Sequence, residues 1–157
     1  MADDKKLAII STKGTLDWGY PPFILASTAA ALGYETQIFF TFYGLDLLKK
    51  DLSGVSVSPL GNPAMPMPVP IPNLVQVLPG MEAMATSMMK KKMKDKGVAS
   101  LEDLRDLCVE AEVTLIACQM TVDLFDYSPD QFIDGLEFGG AATFFEFAGE
   151  SDISLFI

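Results

Sequence analysis

Histidine is absent from the 157 residues, and with it go Ser-His-Asp and Cys-His catalysis and the usual zinc sites. Only two cysteines are present, Cys108 and Cys118. That is too few for a disulfide framework and too widely spaced for a CxxC clip, so a reducing cytoplasm is the expected setting. No run of about 18 apolar residues is available to span a bilayer. The start, Met1-Ala-Asp-Asp-Lys-Lys6, lacks the regions of a signal peptide. Positive charge is scarce in the second half. Residues 1–96 carry ten lysines and eight acids, leaving +2, whereas residues 97–157 carry Arg105 alone against thirteen acids, leaving −12. With a net charge of −10 and a pI near 4.3, nucleic acid is excluded as a general partner. What is plentiful is apolar surface, at 50% hydrophobic residues and a mean hydropathy of +0.30. Excess of that kind is commonly hidden by oligomerisation. The length suits one domain over 1–157.

The most informative stretch is Val113-Thr-Leu-Ile-Ala-Cys118-Gln-Met-Thr121. A continuous apolar, β-branched run reads as a buried parallel strand, and the residues after it have helical spacing through Val122 and Phe125. Cys118 therefore falls where a strand hands over to a helix, at the carboxyl edge where open α/β sheets place their chemistry. A free thiol with a pKa near 8.5 is about 3% ionised at neutral pH. The helix dipole is worth less than one pKa unit, so backbone N–H groups of the turn have to supply the rest. The alternative is a small residue packed at a strand end, since free cysteine is among the most buried types.

Lys6–Ser11 reads as the first and central strand. The loop after it has neither GxGxxG spacing nor a GK[ST] ending, so it is not a nucleotide fingerprint. Lys13 in that loop is either an anion guide or a solvated lysine. Pro21-Pro22 fits the first turn of a helix over Phe23–Leu32, apolar all round and so expected to be buried on both sides. A strand follows over 36–41 and a short helix over 44–52. Seven prolines between 58 and 79 predict an extended loop, with a short edge strand over 74–78. Met65 and Met67 there suit Cu(I), but no histidine and no third clustered sulfur support it, and no metal or cofactor is assigned. Met81–Lys96 reads as a helix with a methionine face and a lysine-rich end, suited to core or subunit packing or to an anionic membrane or partner surface. Ser100 and Asp103 form a capping box for a helix that turns Cys108 into the core. From that geometry Cys108 and Cys118 lie beyond the roughly 7 Å reach of a disulfide. Ser128-Pro-Asp-Gln131 is a second capping box, 136–148 reads as a helix with an aromatic cluster, and 152–157 as a terminal strand.

Four features together resemble the DsrE/DsrF-like family of small sulfur-relay proteins, in its peroxiredoxin-like branch. They are the strand-Cys-helix unit Thr114–Thr121, the cysteine ten residues before it, Asp134-Gly135-Leu-Glu-Phe-Gly-Gly140, and the strand Asp152–Ile157. The resemblance implies a three-layer α/β/α fold on a mainly parallel four- to five-stranded sheet, assembled as a dimer, trimer or hexamer. It implies a sulfur carrier or sulfurtransferase that takes sulfane sulfur on Cys118, as persulfide or thiosulfonate, and passes it on. Its partners would be sulfur-donor and sulfur-acceptor proteins or small sulfane-sulfur species. Cys108 matches a possible second thiol, and Gln119, Met120 and Lys13 are the expected holders of the sulfur anion. The alternative is a non-catalytic scaffold or regulatory subunit of a sulfur-metabolism complex. The implied location is the cytoplasm, with a peripheral position at the inner membrane through 81–96 as the variant. No proline-threonine loop of a peroxidase is present.

Overall fold

The computed structural model describes residues 5–157; Met1–Asp4, where the absence of a signal peptide was read, lie outside the described residues. Five parallel strands form one sheet in the order β4-β3-β2-β1-β5. They are β1 (Lys6–Ser11), β2 (Glu35–Phe40), β3 (Thr114–Cys118), β4 (Glu137–Gly139) and β5 (Ile153–Phe156). The helices are α1 (Leu16–Ala31), a single turn α2 (Asn73–Gln76), α3 (Met81–Asp95), α4 (Leu101–Glu110), α5 (Gln119–Leu124) and α6 (Ala141–Ala148). Two 3-10 segments, Phe42–Leu48 and Pro129–Gln131, complete the regular structure. The α/β architecture is the expected one, with the sheet wholly parallel. β2, not β1, takes the middle, because the terminal strand β5 pairs with β1 from outside.

Alternation along the strands splits the core. Leu7, Ile9, Ile38, Phe40, Leu115 and Ala117 face α1 and α4, meeting Phe23, Ala26, Leu101 and Cys108. Ala8, Phe39, Ile116 and Cys118 face the other way and meet Phe144 of α6. Burying apolar side chains on both sides stabilises the sheet by roughly 1.5–3 kcal/mol for each large residue.

Several sequence expectations need correction. α1 starts at Leu16 and carries Pro21 and Pro22 inside it. Leu16, Gly19, Tyr20 and Phe23 form a buried stripe at helical spacing. The two prolines deprive the carbonyls of Asp17 and Trp18 of helical donors, and both residues are exposed, so water can serve instead. The helix is buried on one side only; Ile24, Leu25 and Leu32 are exposed. The segment over 74–78 holds most of α2 (Asn73–Gln76) followed by a turn, and no strand. The single helix read over 136–148 is instead β4 followed by α6. Gly139 sits tight against α6, where an added Cβ would collide with the Thr143 side chain. Both capping boxes are present, at Ser100/Asp103 and at Ser128/Gln131, although the second opens only a 3-10 turn. No helix among the described residues is long and apolar enough to cross a membrane.

Candidate functional site

Three sheet connections meet around the end of β3. Cys118 is the last residue of β3 and the N-cap of α5. It pairs with Gly139 of β4 on one side. Phe40 pairs with Ala117 on the other, so Thr41, the next residue, stands beside Cys118. The chain then enters the 3-10 turn through Phe42, whose φ of +49° lies in the left-handed region that a phenylalanine rarely adopts. The turn is closed down by Gly44, where any Cβ would run into the backbone of Ser11. This strained entry turns the Phe42 N–H inward, to donate to Thr121 Oγ1 at 3.2 Å.

Thr121 is fully buried, and its hydroxyl oxygen lies 3.3 Å from that of Thr41. An oxygen that accepts from an amide has its own proton free to give. The Thr121 proton can thus go to Thr41 Oγ1 or to the sulfur. Neutral Cys118 makes no side-chain hydrogen bond at the cap. Burial alone would push its pKa up. That effect is outweighed by the Thr121 hydroxyl and N–H, the Thr41 hydroxyl and the Met120 N–H, which hold the thiolate and bring the thiol below its ordinary value. These donors come from the first turn of α5 and from the end of β2. The arrangement therefore favours a sulfur anion with neither histidine nor cationic side chain.

The thiol is not open to solvent. Cys118 is only 4% accessible, because it follows Ile116 on the sheet face that Phe39 and Phe144 cover. No side chain stands at Gly139 or Gly140 beside it, and a Cβ on Gly140 would meet open space. Met120, the second residue of α5, is exposed at 63%.

Of the other expected residues, Met120 contributes its N–H, whereas the Gln119 N–H is not among the groups holding the sulfur. The Gln119 side chain turns instead to Asp123, donating from Nε2 to Oδ1 at 2.8 Å. Lys13 rests its ammonium 3.4 Å from the centre of the Trp18 ring, in a cavity of about 590 Å³ shared with Tyr43 and Asp46. It takes no part in the bonding around Cys118. Cys108 lies in the core, donates to the Phe23 carbonyl at 3.4 Å, and is pushed up to about 12 by burial, which outweighs a hydrogen bond from the Ser27 backbone. Both cysteines are free. Thr41 and Thr121 were not singled out from the sequence. Met65 and Met67 do find further sulfurs, since Met88 and Met89 line the same cavity of about 460 Å³. Lys91, Lys92 and Lys96 line it too and, against the single carboxylate of Asp95, oppose a cation there. Among the described residues no cluster of His, Cys, Asp or Glu could hold a metal.

Comparison with known proteins adds relatives to this geometry. A family model described as the DsrE/DsrF/DrsH-like family matches residues 3–156. The chain is 69% identical over 159 residues to a protein of Allochromatium vinosum named sulfur carrier protein DsrE2, covering 99% of each. It is 29% identical over 157 residues to the uncharacterized protein YrkE of Bacillus subtilis, covering 98% of this chain and 97% of that one. In fold it is similar to the crystal structure of the ychN protein from E. coli, with a TM-score of 0.56 at 11% identity, over 98% of this chain and 99% of that chain.

Proposed function

The chain belongs to the DsrE/DsrF/DrsH-like family, and from that premise we propose that it is a sulfur carrier whose working atom is Sγ of Cys118. The observation that carries the reading is the place of Cys118 at the end of β3 and the N-cap of α5, with the paired hydroxyls of Thr121 and Thr41 beside it, a setting that holds its thiol below the ordinary value. A thiolate attacks the outer sulfur of a sulfane donor. A new S–S bond forms on Cys118, the donor's S–S bond breaks, and the donor leaves with the electron pair. The acceptor's thiolate then attacks the outer sulfur of the Cys118 persulfide and the Cys118 thiolate returns. No net electron, metal or base is consumed. The hydroxyls of Thr41 and Thr121 and the N–H of Met120 hold the anion before loading and after discharge. Donor and acceptor are separate molecules, and Cys108, protonated in the core, takes no part.

The 4% accessibility of Cys118 favours one rival, a scaffold or regulatory subunit in which the cysteine only packs. One preparation separates the two. Reduced protein is incubated to completion with excess inorganic polysulfide, and intact mass is taken for wild type and Cys118→Ser. The carrier reading expects one added sulfur on the wild type and none on the variant. No gain on the wild type, or equal gain on both, leaves the scaffold. We also propose assembly into a homo-oligomer, supported by exposed Phe145, Phe156 and Ile153 around the second sheet face. The lysine-ended α3 supports a secondary contact with an anionic surface.

A further inference from the structure

The face around α5 differs from the rest of the molecule in both shape and charge. Aromatic rings pack in a chain along it, passing through the core at Phe132, which is buried. Phe42 and Tyr43 pack on Phe125 at 6.2 and 5.8 Å between centroids, Phe125 on Tyr127 at 5.6 Å, Tyr127 on Phe132 at 5.8 Å, and Phe132 on Phe138 at 6.3 Å. The run thus joins the strained turn after β2 to the edge strand β4, the two elements that flank Cys118. Its ends stand in solvent, with Tyr43 exposed at 64% and Phe138 at 42%, and Met120 and Leu124 of α5 lie exposed between them along the sequence. Half-exposed aromatic rings and a methionine concentrated on one face are the composition of an interface core.

The charge around this face is mainly acidic, with Lys13 over Trp18, Lys49 over Tyr127 and Lys50 beside Gln131 as the cations at its Tyr43–Tyr127 end. From residue 106 to the C-terminus there are eleven acids and no lysine or arginine. Asp123, Asp126 and Glu137, on α5, just after it and on β4, are exposed, and among the described residues none of them is in an ion pair. The nearby cation Lys49 is already neutralised by Asp46 at 2.6 Å. A free sulfur anion approaching Cys118 therefore moves against the field, a second copy would bring the same acidic face, and an anionic lipid surface would be repelled as well. The face suits one kind of visitor. We propose that it docks a partner protein that surrounds its own cysteine with lysine or arginine, and that Cys118 exchanges sulfur with that protein in preference to small sulfur anions. The inference rests on the sulfur-carrier reading and adds the class of partner to it.

Two peptides of matched length, one rich in lysine and one rich in glutamate, each carry a single cysteine activated as its mixed disulfide with thionitrobenzoate. The Cys118 thiolate attacks the peptide sulfur, the peptide becomes disulfide-linked to Cys118, and thionitrobenzoate leaves with the electron pair and is read by its absorbance. At low ionic strength the lysine peptide should react about tenfold faster or more, within the range by which a charged face changes encounter rates. The ratio should fall toward one near 1 M salt, where the screening length is only about 3 Å. The triple variant Asp123→Asn, Asp126→Asn, Glu137→Gln should lose most of the preference at low salt. Equal rates at low salt, or a faster glutamate peptide, would overturn the proposal while leaving the carrier reading intact if polysulfide still loads Cys118. Release by the urea-unfolded protein alone, with the native protein inert to both peptides and to polysulfide, would bring down the carrier reading and this inference together.

Discussion

At the scale of single residues, the proposed sulfur chemistry would depend on two threonines more than on any charged group. Removing a hydrogen bond to a charged partner costs roughly 1.5–3 kcal/mol, which is one to two pKa units. Thr121→Val should therefore shift the pH profile of Cys118 alkylation by iodoacetamide upward by at least about one unit, and Thr121→Ser should restore it. An unmoved profile in the valine variant would mean that the hydroxyl does not serve the sulfur. Cys108 titrates in the opposite sense. Its pKa in the fold is about 12 against an ordinary value near 8.5, so the unfolded chain gives up this proton first. The stability it contributes is complete below about pH 8.5 and declines as pH rises toward 12. Cys108→Ala should flatten the alkaline fall in urea-denaturation stability over that window, and an unchanged slope would contradict the assignment. The place of Cys118 between a strand and a helix was legible from the sequence because such a handover leaves a periodic trace. Thr41 was not, because its place is fixed by the pairing of β2 with β3, some 80 positions apart, and no local pattern records that.

Among the elements, the turn Phe42–Leu48 has the largest consequence for its size. It joins the aromatic run to the thiol's donors, and its close approach to the end of β1 requires Gly44. Gly44→Ala should destabilise the fold by about 1–3 kcal/mol, as overpacking against rigid backbone does. It should also raise the pKa of Cys118, since displacing Phe42 releases its N–H from Thr121. Loss of stability with an unshifted alkylation profile would separate the turn from the site. The strands β1, β2 and β3 were readable because both of their faces are buried and the apolar runs are continuous. β4 is only three residues long, with Glu137 and Phe138 exposed, and its glycine-rich continuation looked like a helix with small residues. α1 was read short because two prolines normally mark a helix start, whereas here they sit inside the helix and the carbonyls they orphan belong to exposed residues.

For the whole molecule, charge and apolar surface are segregated. Five of the ten lysines lie on α3 or its C-cap, thirteen of the twenty-one acids fall in residues 97–157 that carry Cys118, and Phe42, Tyr43 and Phe138 stand exposed on the elements that flank it. The composition announced both excesses but not their positions, which depend on how distant segments meet. On the docking proposal, an acidic surround and a thiol that is nearly covered mean that sulfur should move mainly between docked proteins. What everything rests on is that Cys118, though buried, can be loaded and discharged in the native state. The most direct measurement is the amount of thiocyanate released by cyanide from natively loaded protein after excess polysulfide is removed. One thiocyanate per chain from the wild type and none from Cys118→Ser is the result expected; equal release from both, or none from either, would contradict it.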